Sequence, residues 1–285
     1  VSGRDPRAVL RDAGLRPKKS FGQNFLVAEP VARAIAEACV HEDEVGLARV
    51  AEIGAGTGAL TRLLADRARS VVAIERDRDL APLLAREIED RPAARVLEAD
   101  AQSVDLSSLL GSEEAGSPRV ACGNLPYAIT GQLLRLIVDQ AGAIDRAVIM
   151  IQDEVAQRLV AAPGAKEWGA LSVFVRAAFA VKRLLRVAPG AFHPPPDVTS
   201  AVVELLPLRP PRARETESFR SLVRGAFQAR RKTLRNAWAG ASPDSATLER
   251  AAAHAAVDLA ARGETLDVED FARMAAALDA VNARR

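Results

Sequence analysis

Tyr127 is the only tyrosine in 285 residues, and it closes the run Asn124-Leu125-Pro126-Tyr127. An apolar stretch, Val120-Ala121-Cys122-Gly123, leads into that run and reads as the end of a buried strand. The chemistry suited to such a loop is the handling of a planar ring that bears an amine. The carboxamide oxygen of Asn124 can accept a hydrogen bond from an exocyclic amine without taking a charge. Pro126 fixes φ and stiffens the turn, and Tyr127 offers a face on which a base can stack. The plainer alternative is a strand-ending turn whose tyrosine plugs the core, since Asn and Pro are ordinary turn residues.

Three features upstream bear on that choice. The apolar run Val50 to Ile53 enters Glu52-Ile53-Gly54-Ala55-Gly56-Thr57-Gly58, where alternate glycines let backbone N–H groups approach a ligand. Glu75 follows about 20 residues on, where an acid can hold both hydroxyls of a ribose. Asp100 closes a third run. Gly54, Gly56 and Ala59 also satisfy the loose dinucleotide fingerprint. A dehydrogenase, however, needs a hydride-transfer site, and the loop after the fourth strand is built to grip an amine. S-adenosylmethionine fits the set better, with Glu75 at its ribose, Asp100 at its adenine amine and the glycine loop at its aminocarboxylate. Its sulfonium carries a reactive methyl, so no metal is expected. The competing reading of Glu75 and Asp100 is strand-end capping.

These residues need a scaffold that brings them to one edge. Short apolar runs alternate with helical patterns through the first two-thirds, as in a parallel α/β sheet. Strands are predicted at Val50–Ile53, Val71–Glu75, Arg95–Glu98, Val120–Cys122 and Ala147–Gln152, with helices between them at Ala59–Ala68 and Asp79–Ile88. The Gly54 loop, Glu75, Asp100 and Asn124 then all fall at carboxyl ends of successive strands, where open α/β folds bind ligands. Leu184–Val187 and Ala201–Leu206 are too close for a crossover helix and predict an antiparallel edge. Leu208-Arg209-Pro210-Pro211-Arg212 is the expected domain boundary. Helices follow at Thr216–Ala229, Ser245–Ala261 and Asp267–Ala280, punctuated by Ser242-Pro243 and Gly263. The expectation is a Rossmann-like α/β domain over residues 1–208 and a small all-helical domain over 209–285.

Composition narrows the setting. The chain is 49% hydrophobic but has no long uncharged apolar run, which excludes a helical membrane span. Arg4, Asp5, Arg7, Arg11 and Asp12 do not suit a secretory leader, and Cys39 and Cys122 form no metal-type spacing. A cytoplasmic, reduced protein is expected. His41, His193 and His254 are scattered, and the H-x-E…P-C-x-x-C signature of base deaminases is missing. The net charge of +2 is unevenly spread. Arg4, Arg7, Arg11, Arg16, Lys18 and Lys19 crowd one end, and Arg224, Arg230, Arg231, Lys232 and Arg235 crowd the helical part. Such separation suits a polyanionic partner, with a merely solvated face as the alternative. Arg230, Arg231, Lys232 and Arg235 can share one side of a helical segment, with Arg224 nearby in the same patch, and anchor RNA phosphates.

Taken together, the motifs are recognisable. The chain resembles the KsgA-type small-subunit (16S) rRNA adenine N6,N6-dimethyltransferases over nearly its whole length. The resemblance rests on residues 18–26 (Lys-Lys-Ser-Phe-Gly-Gln-Asn-Phe-Leu), Glu52 to Gly58, Gly123 to Tyr127, Ala191 to Val198 with Ser200 to Val203, and Ala226 to Thr233. It implies S-adenosylmethionine bound by Asn24, Leu26, Gly54, Glu75, Asp100 and Asn124. It also implies a target base held between Tyr127 and Phe192, although phenylalanines such as Phe25 and Phe192 commonly pack in cores. Trp168 and Trp238 read as packing residues. Ala55 departs from the proline frequent in the family, and Ala128 from the asparagine that commonly follows the tyrosine.

The expected reaction is dimethylation of adenine N6 on adjacent adenosines near the 3' end of 16S rRNA within a small-subunit precursor, by a monomer. Asn124 Oδ1 and the backbone carbonyl of Leu125 or Pro126 would accept the two N–H groups of the amine, aiming its lone pair at the methyl. Two relatives share the motifs, the erythromycin-resistance methylases of large-subunit rRNA and mitochondrial transcription factors derived from the dimethyltransferases; a protein acting mainly as a ribosome-assembly factor is a further alternative.

Overall fold

The apolar runs become strands, and the periodic stretches between them become helices. A computed structural model describes residues 4–18, 21–228, 231–241 and 244–282. Lys19, Arg230 and the Ser242-Pro243 punctuation therefore lie outside the described residues. The chain divides into one unit of Val1–Ala156 with Val181–Pro207 and another of Gln157–Ala180 with Leu208–Arg285.

The first unit opens with helix α1 (Pro6–Asp12), a two-residue strand β1 (Phe25–Leu26) and helix α2 (Glu29–Cys39). Alternation then begins: β2 (Arg49–Ile53), α3 (Ala59–Ala65), β3 (Ser70–Glu75), α4 (Leu80–Glu87) and β4 (Ala94–Glu98). It continues through α5 (Leu106–Leu110), β5 (Arg119–Asn124), α6 (Thr130–Asp139) and β6 (Arg146–Gln152). Helices α7 (Asp153–Val160) and α8 (Ala170–Ala178) precede β7 (Phe179–Val187), β8 (Phe192–His193) and β9 (Ser200–Pro207).

Seven strands form one sheet in the order β4-β3-β2-β5-β6-β9-β7, with β1 and β8 pairing separately. From β4 through β6 every pairing is parallel. Strand β9 then enters antiparallel against β6, Met150 opposite Val202. Strand β9, expected at the edge, is interior, and β7 forms the edge beside it. That position explains why β9 is buried along most of its length instead of alternating. The chain builds outward from β2 in one direction and resumes at β5 in the other, so the crevice opens at the carboxyl ends of β2 and β5. Gly123 makes that crevice narrow. A Cβ there would sit 2.2 Å from the Ile53 carbonyl oxygen, a distance no side chain tolerates.

The second unit adds α9 (Glu217–Gln228), α10 (Leu234–Ala237), α11 (Ser245–Ala255) and α12 (Val268–Asn282). Its core joins Trp168, Val173 and Ala177 to Phe219, Leu222, Trp238, Phe271 and Met274. Both tryptophans are packing residues, and each indole N–H donates to a buried carbonyl, Trp168 to Leu266 at 3.0 Å and Trp238 to Leu222 at 2.8 Å. The stretch 157–180 therefore belongs with this unit, whereas the sequence reading placed it in the α/β domain. Helix α11 stops at Ala255, short of the expected Ala261, because Ala256 turns left-handed with φ 55°. Among the described residues, no helix is long and apolar enough to cross a membrane.

Candidate active site

A cavity of about 180 Å³ opens at the carboxyl ends of β2 to β5. Asn24, Leu26, Gly54, Gly56, Glu75, Asp100, Asn124, Leu125, Pro126 and Tyr127 all line it, brought together from five separate places in the sequence. Phe192 does not. It is 3% exposed and packs in the core with Leu26, Val187 and Val202. Phe192 and His193 form β8 against β1, Leu26 facing Phe192, and adjacent strand residues point to opposite sides. The extended run of prolines after it does not bring the ring out to the cavity.

At one end of the cavity the acids organise the loops. Glu75 Oε2 accepts the Gly56 N–H at 2.8 Å and Oε1 accepts the Asp77 N–H at 2.8 Å. Burial pushes the Glu75 carboxyl above its ordinary range, and these backbone donors oppose the shift. Asp100 caps the turn after β4 by accepting from Gln102 N at 3.0 Å, and it pairs with Arg76 at 3.1 Å. Capping and ligand binding are thus compatible uses of the same carboxylates, because each oxygen retains a second lone pair. The glycine loop works differently from the expectation. The N–H groups of Gly54 and Ala55 donate to Ile74, that of Gly56 to Glu75, and that of Gly58 to Ala55. The glycines supply curvature and room, and most of the loop's donors are committed within the protein.

At the other end lies the Asn124 loop. Asn124 Nδ2 donates to the backbone carbonyl of Asn24 at 2.8 Å, which leaves Oδ1 as the acceptor end of the amide. The Pro126 carbonyl accepts both Ile129 N–H at 3.2 Å and Thr130 Oγ1 at 3.1 Å, so its two lone pairs are used. Of the two backbone carbonyls considered, Leu125's is the better second acceptor. The Tyr127 hydroxyl lies 2.6 Å from Ser200 Oγ, and Ser200 is fully buried. Burial raises the phenol's pKa, so it stays neutral.

Several residues at the site were not anticipated in these roles. Phe21, Gln23, Arg76, Asp77 and Glu52 also line the cavity. The Arg76 guanidinium stands 4.9 Å from the centre of the Phe21 ring while it pairs with Asp100. Phe21 and Gln23 belong to the 18–26 motif, but nothing in the sequence showed that Gln23 reaches Asp77 or that Phe21 meets Arg76.

The basic clusters are partly neutralised. Arg4 pairs with Asp12 and Glu87, Arg7 with Asp5, and Lys18 with Asp77 and Asp79. The arginine-rich stretch is not one helix face. Arg224 is exposed on α9, Arg231 and Lys232 are exposed between α9 and α10, and Arg235 on α10 pairs with Glu249. Residues 231–233 are not helical, and α10 starts only at Leu234.

Comparison with known proteins gives a consistent result. A family model described as Ribosomal RNA adenine dimethylase matches residues 14–280. The chain is 40% identical over 280 residues to Ribosomal RNA small subunit methyltransferase A of Geobacter metallireducens, covering 96% of this chain and 100% of that one. It is 45% identical to the protein of the same name from Anaeromyxobacter sp. (strain K), covering 94% and 96%. Among solved structures, a dimethyladenosine transferase from Plasmodium falciparum shares the fold, with TM-score 0.72 and 23% identity over 86% of this chain and 94% of that one. The 23S rRNA methyltransferase ErmE superposes with TM-score 0.65 and 27% identity over 90% and 100%.

Proposed function

The chain belongs to the ribosomal RNA adenine dimethylase family, and from that premise we propose that its cavity joins an S-adenosylmethionine site to an adenine site. The protein is a 16S rRNA adenine dimethyltransferase, and the exocyclic N6 is the position this reading assigns to the methyl groups. The observation that carries the site assignment is the Asn124 amide, whose donor end is committed to Asn24 beside the stacking face of Tyr127.

The donor set fits the cofactor. Glu75 keeps lone pairs for vicinal ribose hydroxyls, and Asp100 keeps one for an adenine amine. Bound S-adenosylmethionine supplies an electrophilic methyl on a sulfonium. The target adenine leaves its RNA stack and rests against Tyr127. Asn124 Oδ1 and the Leu125 carbonyl accept its two N–H groups, which concentrates the lone pair on the reacting nitrogen. Neutral dipoles already oriented toward that nitrogen stabilise the positive charge that develops there. The proton leaves after transfer, so no strong base is needed. Rotation of the new N–CH₃ group presents the remaining hydrogen for the second round. Phe192 has no stacking role in this reading. The substrate is the small-subunit precursor, met by a monomer in the cytoplasm.

The large-subunit reading is the weaker one, since the small-subunit relatives are 40 and 45% identical and ErmE 27%. The test is methylation of small subunits that lack the modification, followed by mass spectrometry of the adenine products. N6,N6-dimethyladenine in 16S rRNA is expected. Methyl found only on cytosine, on protein or in large-subunit RNA defeats the proposal.

A further inference from the structure

Which end of the Asn124 amide faces the amine decides whether the loop attracts or repels it. The oxygen and nitrogen ends are nearly the same size, so packing alone does not choose between them. The Asn24 carbonyl makes the choice by taking Nδ2 at 2.8 Å. Asn24 precedes a strand of only two residues, which pairs with another of two. Something upstream must hold that carbonyl still.

The upstream segment is anchored on Asp77, which is 3% exposed. Its Oδ1 accepts the Lys18 ammonium at 2.5 Å and the Asp79 N–H at 3.0 Å. Its Oδ2 accepts Gln23 Nε2 at 2.8 Å, and Gln23 Oε1 accepts the Lys18 N–H at 2.7 Å. Burial works against the Asp77 charge, but these donors prevail and hold its pKa below the ordinary carboxylate value. The same residue gives its own N–H to Glu75. One continuous chain of bonds therefore runs from the acid at the ribose end, through Asp77 and Gln23, to the residue whose carbonyl holds Asn124.

We propose that Lys18 and Gln23, anchored on Asp77, are positioning residues that keep the Asn24 carbonyl on Asn124 and so turn Oδ1 toward the reacting amine. The proposal rests on the reading of Asn124 as the amine's acceptor. Lys18 does not line the cavity, so its replacement leaves the cavity wall intact. Lys18→Met removes the ammonium, while Lys18→Arg can still bridge Asp77 and Asp79.

The experiment is single-turnover methylation of unmodified small subunits by the full chain, with both substrates saturating, alongside calorimetric S-adenosylmethionine binding. Lys18→Met and Gln23→Ala are expected to slow the maximal rate about tenfold, and Lys18→Arg to recover most of it. Cofactor affinity in Lys18→Met should stay within about twofold of the parent, the signature of misplacement rather than lost binding. A parental rate in Lys18→Met, a loss that Lys18→Arg fails to recover, or an equal loss of cofactor affinity overturns the proposal. Asn124→Ala separates the two layers. Full activity in that variant removes Asn124 from the chemistry, whereas its inactivity beside a normal Lys18→Met removes the positioning chain alone.

Discussion

Tyr127 shows how one side chain divides its work. Its ring faces the cavity and its hydroxyl is spent on Ser200 at 2.6 Å. Loss of the ring in Tyr127→Ala should cost about 1–3 kcal/mol of base stacking. Tyr127→Phe keeps the ring and should retain most turnover, but it leaves the buried Ser200 hydroxyl without its partner. That costs about 1–3 kcal/mol of stability. Ser200→Ala with Tyr127→Phe should then be less harmful than the two losses summed, since both remove one bond. Turnover and thermal unfolding of the three variants check this. Additive losses would mean that the hydroxyls act independently, and a dead Tyr127→Phe would mean that the phenol does more than stack.

Strand β2 illustrates a cost carried at the level of an element. It lies between β3 and β5 in the interior of the sheet, and its Glu52 is 2% exposed with no hydrogen-bond partner for Oε2. Burial, with the Glu75 charge nearby, pushes the Glu52 carboxyl up to about 8. The folded protein thus prefers this group protonated, while the unfolded chain ionises it near 4.5. The linked stability is complete below the unfolded value and is lost as pH rises toward and through 8. Across that window the loss is on the order of 5 kcal/mol. Glu52→Gln keeps the shape and removes the titration. Its unfolding free energy relative to the parent should improve steadily from pH 5 to pH 9, measured by denaturant unfolding. A constant difference would show that Glu52 is ionised throughout.

At the scale of the whole molecule the question is how a chain of net charge +2 holds a polyanion. Ion pairs neutralise much of the N-terminal cluster, and Arg235 is tied to Glu249. The exposed Arg224 and Arg231 are better placed to meet phosphates. Removing either should weaken binding of small-subunit RNA, lower the log–log salt slope by about one and leave saturated turnover unchanged. Arg235→Ala should change the slope less, because its charge is already balanced. Affinities measured across a salt series decide it. Equal slopes in the parent, Arg224→Ala and Arg231→Ala would leave these residues as a solvated face.

The parallel strands and the loops at their carboxyl ends were legible in the sequence, because apolar periodicity and glycine spacing are local signals. Glu75, Asp100 and Asn124 could be placed on one edge for the same reason. The fate of Phe192 could not be read, since which side of β8 is buried depends on what β1 brings against it. Nor could the assignment of 157–180 to the helical unit, which follows from Trp168 finding its core among residues far along the chain. The partners of Tyr127, Asn124 and Lys18 lie 73, 100 and 59 residues away. Local sequence chose the groups that do chemistry. Tertiary structure decided which end of each group is left to do it, because hydrogen-bond capacity is settled only when distant donors and acceptors meet.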